Sequence, residues 1–184
     1  VRLATILGTW QSTLVDFRYL SSEWRKNCED EALLGVSMTG IMDCPLTRGD
    51  TGKAELKTVL SELRALAVKT NADYAKKIGV NPSASITCVK PSGTVSQLTD
   101  SASGIHARHS EYYIRTVRAD NKDPLCKFMK DIGFPNEADG MKPDHTTVFS
   151  FPIQSPKSVY RNDLTALQQL EMWLVYQENW CEHK

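Results

Sequence analysis

"CVKPSGTVSQLTDSASGIH", residues Cys88 to His106, is the stretch on which the reading of this chain turns. Its apolar lead-in ends at Cys88 and Val89, Pro91 and Gly93 break it, hydroxyl residues follow, and Val95 and Leu98 restart an apolar pattern. A strand that runs into a glycine-containing turn and out into a helix aims several unsatisfied N–H groups at one point, and the helix dipole adds to them. Anions bind at such points. Pro91 fixes its own φ, Gly93 admits a ligand close to the main chain, and the hydroxyls of Ser92, Thr94 and Ser96 can donate to phosphate oxygens. The same spacing also suits a plain helix cap at Ser92 or Thr94. It is not a Walker loop, because Lys90 precedes the turn instead of closing it.

Outward from this loop, strand and helix patterns alternate. Towards the N-terminus, Ser83–Val89 reads as a strand, and Leu56, Val59, Leu60, Leu63, Leu66 and Tyr74 predict a long helix over Lys53–Lys77 that stops at Gly79. Leu33–Met42 reads as a buried strand or strand-like segment and Glu23–Glu31 as a charged connector. Leu3, Ile6, Leu7, Trp10, Leu14 and Phe17 predict an opening helix with a core-packing face. Towards the C-terminus the pattern predicts a short helix at Thr94–Leu98, a strand at Glu111–Ala119 and a helix at Pro124–Ile132 ending at Gly133. A strand follows at Thr146–Ile153, then a closing helix capped by Asn162 or Asp163 with Leu164, Leu167, Leu170, Trp173 and Leu174 inward. Such alternation indicates an α/β layer or barrel with largely parallel strands.

The 184 residues can bury a real core and read as one globular domain, with two small ones as the alternative. Lys plus Arg and Asp plus Glu are both 22, so the formal net charge is zero, which argues against a nucleic-acid-binding surface. No apolar run reaches membrane-spanning length, so a membrane partner is not expected and the chain reads as cytoplasmic. Cys28, Cys44, Cys88, Cys126 and Cys181 are odd in number and widely spaced, which supports reduced thiols over a zinc site or a disulfide framework. With no initiator Met at Val1 and no tail beyond Lys184, the chain reads as a piece of something longer.

Four segments, in order, resemble the catalytic subunit of ribonucleotide reductases, most closely the adenosylcobalamin-dependent class II branch. They are "LATILGTWQSTLVDFRYL", "LLGVSMTGIMD", "KPSGTVSQL" with the following "SASGIHARHSEYYIRTVR", and "LEMWLVYQENWCEHK". The resemblance implies part of the second half of that family's ten-stranded α/β barrel, incomplete here, with residues 1–184 as a single partial domain. It also implies an enzyme that replaces the ribose 2′-hydroxyl of ribonucleoside di- or triphosphates by hydrogen through a thiyl radical, with adenosylcobalamin as radical source and a thioredoxin-type reductant. Carried over residue by residue, the substrate phosphates fall to Pro91, Ser92, Gly93, Thr94, Val95 and Ser96, with His106 of the matched "SGIH" close to the substrate. No catalytic residue is assigned, because the family's radical and redox cysteines are expected upstream of Val1.

Cys88 reads as a small buried thiol. His106, Arg108, His109, Arg115 and Arg118 form a basic run that suits either nucleotide steering or a solvated strand edge. Tyr112 and Tyr113 are adjacent on a strand, point to opposite faces, and are not a radical relay. His145 and His183 have no partner at metal-ligand spacing. Two alternatives stay open: the catalytic large subunit of a diiron class I reductase, and a phosphate-binding α/β module without redox chemistry.

Overall fold

The computed structural model describes residues 1–182, and the expectation for His183 lies outside them. Its organising element is α4, Lys53–Ile78. Leu56, Leu60, Ala67 and Ala75 recur along one face and are buried, and the helix ends where Gly79 takes φ +76 and sends its N–H to the Ala75 carbonyl. Two helices flank it, α1 (Arg2–Gln11) and α7 (Ala166–Asn179). Beneath lies a parallel pair, β1 (Val36–Ser37) and β2 (Thr87–Cys88). The core gathers Leu34, Val36, Ile41, Ile86, Val175 and Trp180 against α4.

Both expected strands around this pair shrink. Extended chain does run on either side, with Leu34 N–H to Ser85 O and Val36 N–H to Ile86 O. Gly40 then turns left-handed at φ +73 and a 3₁₀ turn, Ile41–Asp43, follows, so Leu33–Met42 is not one strand. A short helix, α3 (Pro45–Arg48), leads towards α4.

The charged connector is a helix, α2 (Ser22–Glu31). Ser21 Oγ accepts from Trp24 N–H, and Arg25–Glu29 and Lys26–Asp30 pair one turn apart. It buries no residue, so it carries no apolar period to read.

The second sheet is antiparallel, which corrects the expectation of largely parallel strands. β3 (Tyr112–Asp120) pairs along its whole length with β5 (Thr146–Gln154), and β4 (Asn136–Ala138) covers the other edge of β5. Between β3 and β4 lies α6 (Pro124–Asp131), capped by Asp123 through Leu125 N–H. The closing helix is capped by Thr165 and Gln168 in a reciprocal box, not by Asn162 or Asp163, which sit in a 3₁₀ turn upstream.

The opening helix stops at Gln11 and buries Thr5 and Thr9, with Thr9 Oγ accepting from Asn71 Nδ2 at 3.0 Å. Its expected core face is instead uncovered: Leu3 is 76% exposed, and Leu7, Trp10 and Leu14 are more than half exposed. The closing helix likewise leaves Leu167, Leu170, Trp173 and Leu174 open while burying Val175 and Tyr176. These faces are apolar as read, yet the described residues supply nothing to cover them. Among the described residues no helix is long and apolar enough to cross a membrane.

Candidate functional site

Val89 to His106 leaves β2, turns through the hydroxyl-rich loop, forms the one-turn α5 (Val95–Leu98) and returns to pack against the loop's own start. Ser92 organises it. Its Oγ accepts from Ser96 N–H at 2.9 Å, its carbonyl accepts from Ser96 Oγ at 2.6 Å, and its N–H donates to Ser103 Oγ at 2.8 Å. Ser96 is therefore wholly buried with both donors engaged.

Thr94 is the residue before the helix, but its side chain makes no capping bond. The N–H groups of Gly93, Thr94 and Val95 have no protein acceptor among the described residues. Three such donors on successive exposed residues are what an anion needs. Gly93 is not left-handed, and a Cβ there would meet nothing within 4 Å.

The return segment clamps the loop. Gly104 sits at φ +54, and a Cβ there would stand 3.0 Å from the Lys90 carbonyl oxygen. His106 follows, exposed, with Nδ1 3.1 Å from Ser103 O, and lines a hollow that Pro91 also lines.

The basic run divides once folded. Arg108 is consumed by structure: Nε and Nη2 reach the two carboxylate oxygens of Asp43 at 2.9 Å each, and Nη1 reaches Asp100. Arg118 pairs with Asp139 on the far part of the sheet. Arg115 stays with the loop, its Nη2 donating to Gly93 O at 3.2 Å. His109 lies edge-on to the Tyr113 ring with centroids 5.3 Å apart, while Tyr112 is exposed and accepts from Gln154 Nε2. A cleft of about 900 Å³ between the segment Ser96–Arg108 and the β3–β5 face takes in His106, His109 and Arg115.

Asp43 was not legible as a site residue, being 65 positions from Arg108. Burial pushes its carboxyl up, but bonds from Arg108, Ala102 N–H and Ser158 together with the Arg108 charge outweigh this and hold it below its ordinary value. Because the folded-state value is the lower one, the stabilisation is complete above about pH 3.8 and lost as pH falls through the folded-state value. Asp43→Asn should cost about 2 kcal/mol at neutral pH, the scale of hydrogen bonds to a charged group, and weaken the acid dependence of unfolding. Urea melts at pH 7 and pH 3 check this, and equal losses at both would remove the carboxylate from the account.

All five cysteines are free thiols. Cys88 is half-buried instead of fully so, and burial pushes its thiol up, as it does for Cys181; Cys126 is buried and Cys44 exposed. Among the described residues no group of three or more His, Cys, Asp or Glu is placed to hold a metal ion.

No protein-family model matches the chain. Among curated proteins it is 34% identical over 145 residues to the adenosylcobalamin-dependent ribonucleoside-triphosphate reductase of Lactobacillus delbrueckii subsp. bulgaricus, covering 66% of this chain and 19% of that protein. Proteins of the same name from Levilactobacillus brevis (26%) and Euglena gracilis (28%) match 96% and 90% of the chain, or 27% and 23% of their own lengths. A crystal structure of a B12-dependent, class II ribonucleotide reductase superposes on 99% of the chain with a TM-score of 0.77 at 25% identity, covering 29% of that structure. The chain thus spans between 19% and 27% of the length of these curated relatives. The two sheets do not close on each other, which fits an incomplete part of the reductase barrel with helices left uncovered. In sequence and in fold the chain is a homologue of the adenosylcobalamin-dependent, class II ribonucleotide reductases, matching 29% of the solved one.

Proposed function

We propose that this chain is the substrate-phosphate-holding segment of a ribonucleotide reductase that converts ribonucleoside triphosphates to 2′-deoxyribonucleotides. The observation that carries the proposal is the row of three N–H groups at Gly93, Thr94 and Val95 without a protein acceptor, exposed and flanked by the Arg115 guanidinium. The relatives' shared name, ribonucleoside-triphosphate reductase, supports the triphosphate over the diphosphate and the cobalamin branch over the diiron one.

Within the loop the roles differ. Gly93, Thr94 and Val95 offer N–H groups, Thr94 adds a hydroxyl, and Ser92 keeps a hydroxyl proton to donate while its oxygen accepts from Ser96. Pro91 fixes the approach, Ser96 anchors the turn from beneath, and His106 stands at its edge. What the segment does for the reaction is to hold the charged end of the substrate and so orient its ribose.

Adenosylcobalamin, when bound, supplies the radical in this proposal. The apolar hollow of about 420 Å³ between the ends of α1 and α2, and that of about 380 Å³ under His106, are too small for a corrin with its nucleotide tail. No described residue is therefore assigned to the cofactor, and no step is routed through it. In the same proposal electrons come from a thioredoxin-type protein by way of cysteines outside this chain.

Thr94→Ala tests the loop in the intact reductase. One hydroxyl among several donors is worth about 1 to 2 kcal/mol, so nucleotide KM should rise roughly 5- to 30-fold. Binding of the phosphate-free nucleoside should not change. An equal loss with nucleoside and nucleotide would place Thr94 away from the phosphates.

A further inference from the structure

The cleft beside the loop has a charge balance that its packing does not explain. Five basic side chains line it, Arg108 among them, against one carboxylate, Asp100. Asp100 is already committed, with Asp43, to Arg108. Of the carboxylates near it in sequence, Glu111 lines a neighbouring hollow and Asp163 accepts from Tyr160 N–H at 2.9 Å. Arg115 and Arg161 therefore face the cleft with no ion pair among the described residues, and the His106 and His109 rings stand beside them. Arg161 makes no hydrogen bond or ion pair through its side chain among the described residues, and its backbone N–H is fixed to Arg108 O at 2.9 Å. The opposing wall carries the hydroxyls of Ser101 and Ser103, the latter already fixed by Ser92.

Arg115 joins this cleft to the loop. It lines the cleft, yet its Nη2 sits on the carbonyl of Gly93, the first of the three residues with open N–H groups. An anionic chain seated on those N–H groups and extended past Arg115 passes into the basic cleft.

We propose that this cleft is a second anion subsite that takes the distal phosphoryl groups of a nucleoside triphosphate, with Arg115 bridging the two subsites and Arg161 reaching the terminal phosphate. This rests on the assignment of the loop to the substrate's phosphates and adds to it a basis for discriminating tri- from diphosphate. Guanidinium groups suit the task because their planar donors pair with phosphate oxygens two at a time.

The test measures equilibrium binding of one ribonucleoside as its mono-, di- and triphosphate to the full-length reductase, without reductant, in wild type, Arg115→Gln, Arg161→Gln and Gly93→Val. Arg161→Gln, at a residue whose side chain makes no hydrogen bond to the loop among the described residues, should weaken the triphosphate roughly tenfold and leave mono- and diphosphate within about twofold. Arg115→Gln should do the same or more. The triphosphate's salt dependence should also become shallower, since a cation in contact with phosphate has been removed. If Arg161→Gln weakens all three ligands equally, or none, the cleft is not a phosphate subsite. Gly93→Val separates this from failure of the loop assignment: it should weaken all three phosphorylated ligands whether or not the cleft inference holds. Thermal melts of each variant exclude a loss caused by misfolding.

Discussion

Alanine at Gly104 should lower thermal stability and substrate affinity together. Two costs coincide there. At φ +54 a residue with a Cβ loses about 1 to 2 kcal/mol relative to glycine. The added Cβ would also stand 3.0 Å from the Lys90 carbonyl oxygen, 3.4 Å from its carbon and 3.5 Å from Pro91 Cα. All three are backbone atoms, so no rotamer change relieves the contact; either the return segment or the start of the loop must move. Overpacking of this kind adds about 1 to 3 kcal/mol. The displacement falls at Lys90–Pro91, immediately before the open N–H groups, so the geometry offered to phosphate shifts as well. The expected result in the intact reductase is a Tm lower by several degrees and a nucleotide KM raised at least tenfold. Gly79→Ala is the control. Its φ is also left-handed, at +76, but a Cβ there meets nothing within 4 Å and the site is remote in sequence, so it should cost stability alone. Unchanged KM for Gly104→Ala, or an equal KM change for Gly79→Ala, would sink the clamp.

The elements that could be read from the sequence are those whose side chains carry the signal themselves. α4 announces itself through apolar residues every three or four positions and a glycine stop, and β3 and β5 through β-branched and aromatic residues over nine-residue strands. α2 is invisible to that logic because none of its residues is buried, and its stability comes from a serine cap and surface pairs. β4 is three exposed residues added to an existing edge, a matter of where β5 lies and not of Asn136–Ala138 themselves. Parallel against antiparallel pairing depends on the path of the intervening chain, which periodicity does not carry.

The helix stripes make a separate point. Leu3, Leu7, Trp10 and Leu14, like Leu167, Leu170 and Trp173, follow a core pattern and yet stay open, because a pattern records what a face is made for and not what is present to cover it. In a chain matching 29% of the solved reductase, uncovered apolar faces are expected.

The loop itself was legible because strand, glycine and hydroxyls lie consecutively in sequence. Its internal wiring was not. That Ser92 would spend its oxygen on Ser96, and Ser103 hold Ser92 N–H, requires the return segment to fold back eleven residues later. Arg115 was one basic residue among five by composition, and it separates from Arg108 and Arg118 only when the partners Asp43, Asp100 and Asp139 are brought in from other elements.

Valine at Gly93 should leave the fold nearly intact and abolish most of the nucleotide affinity. The backbone there is not left-handed, so a side chain brings no conformational strain, and its Cβ would project into space empty of protein within 4 Å. Folding has no use for that space. A phosphate resting on the N–H groups of Gly93, Thr94 and Val95 does, and a β-branched side chain at the first of them is rigid at χ1 and cannot fold away from it. Losing several charge-assisted bonds at once, where Thr94→Ala loses one, should raise nucleotide KM roughly a hundredfold or more. Gly93→Ala should fall between the two, since a single methyl blocks less of the approach. A nucleoside without phosphates should bind wild type and variant alike. Tm, nucleotide KM and nucleoside binding in the intact reductase decide the matter. If Gly93→Val keeps its Tm and its nucleotide KM, the loop is only a turn, the assignments of Ser92, Thr94 and Val95 to the phosphates fall with that of Gly93, and Pro91 and Ser96 are left with the turn alone.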